Sequence, residues 1–408
     1  MRILQLCPKV PWPPDDGGRV AMRVLALSLL EAGAEVRTLS LNPLKHRTDV
    51  STLPDEALPL RIEAIDADTS VTPAGALRSL LAGTSYNVDR FRSPALEARL
   101  RAVAAEWRPD VVLLESLFMV PSLPALRRAT AAPAVLRSVN VEHEVWERLG
   151  ANARGALLRP WLRLLASRLR AYEVGTMDSV DAILPVTEED ARTYRRLGAR
   201  APLHVTPVGM DPREWPDLSG RGEPDSLVFL GSLDWRPNLE AVRWFVGEVW
   251  PRVKAENPRA RFRVAGSNPP RALAGEALPD GVELLGRVAD ARAFFASGSA
   301  MVVPLLSGGG VRVKILEAMA LGVPVVSTRL GATGIAAEDG REILLADDPA
   351  SLASACNRLL RDREAAVRLG REGRAKILEG HGAARIAMDL MGFLRGLVQP
   401  SRACAAKG

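Results

Sequence analysis

Three consecutive glycines precede a segment that carries a lysine and a glutamate one helical turn apart. The glycines occupy 308–310, after the apolar run 300–306, and Lys314 and Glu317 lie three positions apart. Residues at this spacing share one helix face. Glycine lets phosphate oxygens approach the backbone, and a helix N-terminus supplies N–H groups and a partial positive charge. Glu317 has apolar neighbours, so we expect its carboxylate inside the fold, where it suits a pair of ribose hydroxyls. The pattern predicts a nucleotide-diphosphate site; a surface ion pair is the simpler alternative.

The elements that must position these residues alternate between strand and helix patterns. In the first half, strands are predicted at 3–7, 35–41, 111–114, 134–139 and 182–186, with a helix over about 20–33 and Thr187 as a helix cap. In the second half, strands are predicted at 227–230, 261–265, 282–285, 300–306 and 323–326. Helices are predicted over 239–248 and 290–296, and the whole stretch from 349 to about 398 is predicted to be helical. This alternation is typical of parallel sheets covered by helices on both faces.

Seven prolines and glycines between 207 and 224 predict a linker. The predicted division is an N-terminal domain over 1–206, a linker over 207–224 and a C-terminal domain over 225–382. A helix over 383–400 is expected to return to the first domain, before a disordered tail over 401–408. Ligands bind at the carboxyl ends of strands in such sheets. A second glycine pair, Gly17-Gly18, follows the first strand, so the two glycine loops are expected to face each other across a cleft.

Composition excludes several classes. The chain has 408 residues, a net charge of +6 and only three cysteines, which are far apart and form no CxxC pair. This argues against a zinc site or a disulfide framework. The strand-like run after Met1 is too short for a signal-peptide core, and no apolar run is long enough for a membrane span, so a cytoplasmic location is expected. With 5% aromatic residues and no basic–aromatic module, nucleic-acid binding is disfavoured.

The segment 151–172 contains five arginines and no acidic residue, interleaved with leucines. Such a basic amphipathic helix can lie on the anionic inner face of a membrane. It can equally be a connector helix that packs on its own domain with solvated arginines. Both interpretations stay open at this point.

The chain resembles a family 4 glycosyltransferase of the GT-B architecture, similar to a bacterial subgroup associated with exopolysaccharide loci. The resemblance spans nearly the whole length. The motifs that carry it are Pro-Pro-Asp-Asp-Gly-Gly-Arg at 13–19, Asn-Val-Glu-His-Glu-Val-Trp at 140–146, Val-Thr-Pro-Val-Gly-Met-Asp at 205–211, Phe-Leu-Gly at 229–231, Asp-Trp-Arg-Pro-Asn at 234–238, Val-Ala-Gly at 264–266, Leu-Gly-Arg-Val at 285–288 and Lys-Ile-Leu-Glu-Ala-Met-Ala at 314–320. It implies two Rossmann-like, doubly wound parallel-sheet domains facing a cleft, with C-terminal helices.

The resemblance also implies an activity. It is the transfer of a sugar from a UDP- or GDP-sugar to a polysaccharide, lipid-linked or other glycoconjugate acceptor, with retained anomeric configuration and no metal or other cofactor. The C-terminal domain would hold mainly the donor and the N-terminal domain mainly the acceptor. Donor contacts are expected from Gly17, Gly18, Ser232, Arg287, Val288, Gly309, Gly310, Val311 and Glu317.

Glu317 matches the second glutamate of the family's paired-glutamate motif, which binds the donor ribose. The first glutamate, which contacts the donor sugar, is replaced by Gly309. This implies either that backbone N–H groups of the glycine loop hold the sugar, or that the donor sugar differs from the common hexoses. The family's arginine and lysine for the leaving diphosphate are replaced by Ser232 and Pro237. We therefore expect Arg236, Arg312 and Lys314 to supply that charge.

The family's histidine near the reacting sugar corresponds to Val139 here. His143 is the candidate acid–base residue in its place, and Asn140 and Glu142 are candidates for acceptor contacts. Because four polar positions are lost together, a catalytically degenerate GT-B scaffold subunit is the main alternative. A sugar-nucleotide epimerase, a nicotinamide oxidoreductase and a metal site at Asp66-Ala67-Asp68 are weaker alternatives.

Overall fold

The computed structural model describes residues 1–152, 158–268 and 278–405, without the side chains of 152 and 399–405. The chain divides into two compact units. The N-terminal unit contains Met1–Gly209 and Ala383–Gly408, and the C-terminal unit contains Met210–Gly382. The N-terminal unit is therefore completed by the last helix of the chain.

Within the described residues, the N-terminal unit has one parallel sheet of six strands, in the order β3-β2-β1-β4-β5-β6. The strands are β1 (Arg2–Cys7), β2 (Glu35–Pro43), β3 (Glu63–Ala67), β4 (Val111–Leu114), β5 (Ala134–Ser138) and β6 (Ala182–Pro185). Ile3 of β1 pairs with Val36 on one side and Val111 on the other, so the strand order reverses direction at β1 and β4. A ligand crevice is expected at this switch point.

The helices of this unit cover both faces of the sheet. They are α1 (Gly17–Glu31), α2 (Pro73–Ala82), α3 (Tyr86–Asp89), α4 (Pro94–Trp107), α5 (Leu123–Ala129), α6 (Glu142–Asn152), α7 (Leu158–Thr176), α8 (Glu188–Arg196) and α15 (Ala383–Ala405). Successive strand residues point to opposite faces. Accordingly Ile3 packs in a core with Leu25 and Leu390, while Leu4 packs in the opposite core with Leu100 and Leu169.

The described part of the C-terminal unit repeats the same topology, with six strands in the order β12-β11-β10-β7-β8-β9. Its strands are β7 (Glu223–Leu230), β8 (Arg261–Ala265), β9 (Val282–Gly286), β10 (Gly298–Val303), β11 (Val325–Ser327) and β12 (Leu344–Leu345). Its helices are α9 (Arg236–Trp244), α10 (Trp250–Glu256), α11 (Ala291–Ala296), α12 (Val313–Ala320), α13 (Pro349–Arg361) and α14 (Arg363–His381). The switch point here lies between β7 and β10.

These two doubly wound parallel sheets confirm the predicted fold class. Several boundaries differ, for local reasons. The strand predicted over 300–306 ends at Val303, because Pro304 has no N–H to donate. The helix predicted over 239–248 begins earlier, at Arg236, and leads into a π-helical turn, Phe245–Val249. The last helix runs on to Ala405, past the tail predicted from 401, since its alanines favour helix.

The described part of the basic segment 151–172 belongs to two helices. Residues 151–152 complete α6, and α7 begins at Leu158. Arg154, which counted toward the predicted basic face, lies outside the described residues. Thr187 caps α8 as expected, because its side chain accepts a hydrogen bond from the backbone N–H of Asp190.

Candidate active site

The glycine loop follows β10 at the switch point of the C-terminal sheet. Gly308 and Gly310 have positive φ angles of 111° and 78°, which glycine adopts at little cost. A Cβ atom at Gly308 would lie 2.8 Å from Nη2 of Arg312 and 3.1 Å from the Trp235 ring. The loop therefore requires glycine at 308, both for its backbone conformation and for the close approach of these side chains.

Arg312 holds the glycine loop. It occupies the N-cap position of α12, so that helix begins at Val313, not directly after Gly310. Its Nη1 donates to the carbonyl of Gly309 and, over 3.2 Å, to that of Gly310. The guanidinium also lies 5.1 Å from the centroid of the Trp235 ring, within the range of a cation–π contact. A positive charge is thus fixed at the loop and at the start of a helix.

Lys314 and Glu317 lie on α12, one turn apart. Lys314 is half-buried, and Glu317 is 8% exposed, as its apolar neighbours predicted. Burial raises the pKa of Glu317 to about 7, and the charge of Lys314 opposes that shift. In the part of the chain that the structure describes, no hydrogen bond reaches the Glu317 carboxylate. An acceptor in this setting is suited to hydroxyl donors from a ligand.

The other side of the switch point follows β7. Ser232 Oγ lies 2.6 Å from Asp234 Oδ1 and 2.9 Å from Ser267 Oγ, so its hydroxyl is held by neighbouring side chains. Arg236, the first residue of α9, is exposed, whereas Pro237 is buried. Arg236 is therefore the cation that follows the end of β7 most closely in the sequence.

Arg287 and Val288 follow β9, two strands from β7 in the sheet order. Arg287 is exposed and Val288 is half-buried. Gly309 and Val311 are half-buried members of the glycine loop. The C-terminal unit thus brings the predicted residues of the loop and α12 together, while Arg287 and Val288 lie further along the same sheet edge.

In the N-terminal unit, Gly17 and Gly18 are the first two residues of α1, directly after its cap Asp16. Asp16 accepts from the backbone N–H of Arg19 and forms a 2.6 Å ion pair with Lys9. The first N–H groups of a helix have no partner within it, so they can bind an anion. The glycine pair therefore starts a helix at the carboxyl edge of this sheet.

Asn140, Glu142 and His143 lie after β5, at the start of α6. The Asn140 amide donates to Glu142 over 3.4 Å, a long hydrogen bond. Burial raises the pKa of Glu142 to about 7, with a further contribution from the charge of Glu173. His143 is 3% exposed and lies against the Glu173 carboxylate. Sequence reasoning missed Glu173, although it is the first acidic residue after the basic run that ends at 172.

A second buried pair was also missed. Arg137 and Glu115 are nearly inaccessible to solvent and form an ion pair of 3.0 Å. Arg137 also donates to the carbonyl of Ala21 in α1, and Gln5 donates to Glu115. These contacts tie β1, β4, β5 and α1 together beneath the sheet edge.

The Asp66-Ala67-Asp68 segment is accounted for by protein contacts. Asp66 accepts from Asn42 and pairs with Arg47, and Asp68 accepts from the backbone N–H of Ser70. Among the described residues, no group of three or more His, Cys, Asp or Glu side chains could hold a metal ion.

Comparison with known proteins defines the class. Residues 16–209 match the glycosyl transferase 4-like domain, and residues 224–362 match the glycosyl transferases group 1 family. The two matches together take in most of both units. The chain therefore belongs to the group 1 glycosyl transferases, with a glycosyl transferase 4-like domain in its N-terminal part, and is a glycosyltransferase.

Particular relatives span most of the chain. An uncharacterized protein of the cps region of Klebsiella pneumoniae is 24% identical, over 85% of this chain and 88% of its own length. A GDP-mannose-dependent alpha-(1-6)-phosphatidylinositol monomannoside mannosyltransferase of Mycobacterium tuberculosis is 25% identical, over 74% of this chain and 80% of its own. The structure of Anabaena HepE in complex with UDP and glucose has a TM-score of 0.68 at 16% identity, over 97% of this chain and 100% of that chain.

Proposed function

We propose that this glycosyltransferase moves a sugar from a UDP- or GDP-sugar to a polysaccharide, lipid-linked or other glycoconjugate acceptor, with retention and without a metal ion. The observation that carries the proposal is the buried Glu317 carboxylate behind a glycine loop that already holds a positive charge, that of Arg312. Glu317 accepts hydrogen bonds from the ribose hydroxyls of the donor. The backbone N–H groups of Gly309, Gly310 and Val311 contact the diphosphate and the sugar.

The leaving group determines what the cations must do. When the bond between the sugar's anomeric carbon and the diphosphate oxygen breaks, negative charge grows on the diphosphate, while a new bond forms from the acceptor oxygen to that carbon. His143, the proposed acid–base residue, takes the proton of the acceptor hydroxyl. Fixed charges at the developing anion stabilise the transition state. Arg312, Lys314 and Arg236 supply this charge in our proposal, in place of a metal. Ser232 and the backbone at Arg287-Val288 complete the donor contacts, the latter near the base.

Two nucleotides are supported, by different relatives. The HepE structure contains UDP, and the mycobacterial relative is described as dependent on GDP-mannose. Isothermal titration of the folded protein with UDP and GDP distinguishes them, since we expect micromolar binding of one and much weaker binding of the other. Absence of binding to both would contradict the donor-site assignment.

The acceptor is assigned to the N-terminal unit, with Asn140 and Glu142 as contacts and His143 as the acid–base residue. Gly17-Gly18, at an anion-binding helix start, is assigned to the donor. The relative from a cps region supports a surface polysaccharide, and the mannosyltransferase a lipid-linked acceptor. We propose that the enzyme reaches such acceptors from the inner face of the membrane. Among the described residues, no helix is long and apolar enough to cross a bilayer.

The proposed membrane contact rests on exposed leucines and exposed arginines on the same two helices. On α2, Leu77 and Leu81 are 56% and 81% exposed, and on α7 Leu164 is 37% exposed. Arg168 of α7 donates to the carbonyl groups of Ser79 and Leu80, which brings α7 to the C-terminal end of α2. We call these leucines, with Arg78, Arg159 and Arg163, the α2–α7 surface.

Charge favours a lipid occupant on the α2–α7 surface. Its three arginines are exposed and, within the described residues, form no ion pair. An anionic bilayer complements them, whereas a second copy of the same surface would repel them.

The whole proposal is tested by a donor screen that measures release of free nucleotide from UDP-, GDP- and dTDP-sugars, with and without EDTA. We expect turnover with one donor, unaffected by EDTA, and an NMR spectrum of the product that shows the donor's anomeric configuration. Nucleotide binding without turnover for any donor would instead favour the scaffold alternative. A product with inverted anomeric configuration would overturn the proposed retention. Loss of turnover in EDTA would overturn the proposed independence from a metal ion.

A further inference from the structure

The Glu173 carboxylate of α7 lies beneath the first turn of α6, accepts three hydrogen bonds and contacts the imidazole of His143. Oε1 accepts from the backbone N–H of Glu142 at 3.1 Å and from the Tyr194 hydroxyl at 2.8 Å. Oε2 accepts from the backbone N–H of His143 at 3.0 Å and lies 2.7 Å from Nδ1 of the same residue. With the Glu173 side chain only 1% exposed, its four acceptor positions are filled by protein groups.

These partners fix the proton on the imidazole. An ionised carboxylate can only accept hydrogen bonds, and three donors already point at this one. The proton of the 2.7 Å contact therefore belongs to Nδ1 of His143. Burial and the Glu173 charge raise the pKa of Tyr194 well above its ordinary value, so its hydroxyl stays a donor at neutral pH. In the neutral ring, Nε2 then carries the lone pair.

Two observations make Nε2 a candidate acceptor for a hydrogen bond from a ligand. In residues 1–152, 158–268 and 278–405, no protein hydrogen bond is formed to Nε2 of His143. His143 also follows the carboxyl end of β5, the edge of an open α/β sheet at which ligands bind. Capping of α6 would need only the two backbone N–H groups, so the 2.7 Å contact with the imidazole is an additional feature.

We propose that Glu173 is a positioning residue, which holds His143 in the Nδ1–H tautomer so that Nε2 accepts a hydrogen bond from a hydroxyl of the sugar substrate. The inference rests on the proposed glycosyl transfer and adds a residue to it. Glu173 itself does not contact the substrate. Its effect is transmitted through the orientation and tautomer of one ring.

The test uses three single variants of the full chain and the Glu173→Gln/His143→Gln double variant. Glu173→Gln keeps the size of the side chain but replaces one acceptor by a donor. His143→Gln removes the imidazole while leaving the Glu173 contacts to the backbone. Tyr194→Phe is the matched control, because it removes one hydrogen bond to the other carboxylate oxygen. Imidazole ¹⁵N NMR reports the tautomer, titration calorimetry the nucleotide affinity, and initial rates the turnover.

We expect protonated Nδ1 and unprotonated Nε2 in the wild type, and loss of this single tautomer in Glu173→Gln. Turnover should fall at least about tenfold in both Glu173→Gln and His143→Gln. Nucleotide affinity should stay within about twofold, and the double variant should lose no more than either single one. Tyr194→Phe should lose less than about threefold.

Three results would overturn the proposal: a wild type with the proton on Nε2, a folded Glu173→Gln protein with unchanged tautomer and turnover, or wild-type turnover in His143→Gln. If Glu173→Gln does not fold, the tautomer of the wild type and the turnover of His143→Gln still test the proposal. If the wild type transfers no sugar at all, the proposed function fails, and the tautomer measurement alone upholds or overturns the positioning role.

Discussion

At the scale of single residues, the proposed donor site depends on where charge is placed. Glu317 is a carboxylate in an apolar setting whose cost of ionisation is offset in part by Lys314. Arg312 is fixed by the glycine loop and Trp235, whereas Lys314 is only half-buried. These differences predict that the three acidic and basic side chains respond differently to pH and to substitution.

Glu317→Gln should weaken binding of a nucleotide-sugar by roughly 1.5–3 kcal/mol, since a charged acceptor is lost. Ligand hydroxyls donate to the ionised carboxylate, so wild-type affinity should rise from pH 6 to pH 8, across the pKa of about 7. The variant should lack this rise. Titration calorimetry at both pH values measures it, with the exposed Glu364→Gln as control. Equal affinity of variant and wild type would exclude the ribose contact.

The same raised pKa has a consequence for stability without ligand. The folded-state pKa lies above that of a free carboxyl group, so raising the pH through about 7 charges a buried side chain and lowers stability. Thermal unfolding should therefore show a smaller loss between pH 6 and pH 8 in Glu317→Gln than in the wild type.

Among the cations, Lys314→Ala should lower turnover on the order of a hundredfold with little change in nucleotide affinity, because its charge acts on the developing anion. Arg312→Ala should lower both, since the loop carbonyls of Gly309 and Gly310 lose their donor. Arg236→Ala should have the smallest effect, as this residue is exposed. Single-turnover rates and nucleotide titrations check this, with Arg371→Ala on α14 as control. Wild-type turnover in all three would mean that backbone groups alone stabilise the diphosphate.

At the scale of elements, α2 is unusual because two of its three leucines face outward. Leu77 and Leu81 are exposed, while Ser79, on a different face, is buried. The helix is held by polar contacts, among them the bonds from Arg168 and a 2.6 Å bond from the backbone N–H of Thr72 to the Tyr86 hydroxyl. A helix fixed in this way has its apolar residues available for a partner.

The Leu77→Ser/Leu81→Ser double variant should bind vesicles of phosphatidylcholine and phosphatidylglycerol on the order of tenfold more weakly than the wild type. Binding should also weaken as salt is added. Vesicle co-sedimentation measures both. Leu58→Ser is the matched control, since Leu58 is 67% exposed elsewhere in the same unit. If the wild type binds anionic and neutral vesicles equally, or binds neither, the α2–α7 surface does not contact lipid.

At the scale of the whole molecule, the last helix belongs to the unit formed by the start of the chain. Leu390 of α15 is fully buried in the core that also contains Leu25 and Leu29 of α1. The chain therefore leaves the N-terminal unit at Gly209 and re-enters it at Ala383.

Leu390→Ala should destabilise the N-terminal unit by about 2–5 kcal/mol, because it leaves a cavity in a packed core. Denaturant unfolding, followed by a signal from this unit, measures the loss. Met388→Ala on the same helix is the control, since Met388 is 63% exposed. Equal stability of the two variants would contradict the packing of α15 on α1.

The sequence by itself determined the two parallel sheets and the glycine loop with Glu317. Strands that are covered on both faces appear in the sequence as continuous apolar runs, so they can be predicted locally. The glycine loop, Lys314 and Glu317 lie within ten residues, so their local pattern is enough to predict that they lie together. The ends of strands were harder to predict from the sequence. At β10, for example, Pro304 ends the strand although the sequence remains apolar beyond it.

Only the tertiary structure decided which distant side chains meet. Glu173 and His143 are 30 positions apart, and Arg137 and Glu115 are 22 apart, so no local periodicity connects them. Their pairing depends on which strand lies beside which and on how α7 passes under α6. Exposure of Leu77 and Leu81 likewise follows from the contacts that orient α2, because an amphipathic pattern does not state which face is buried.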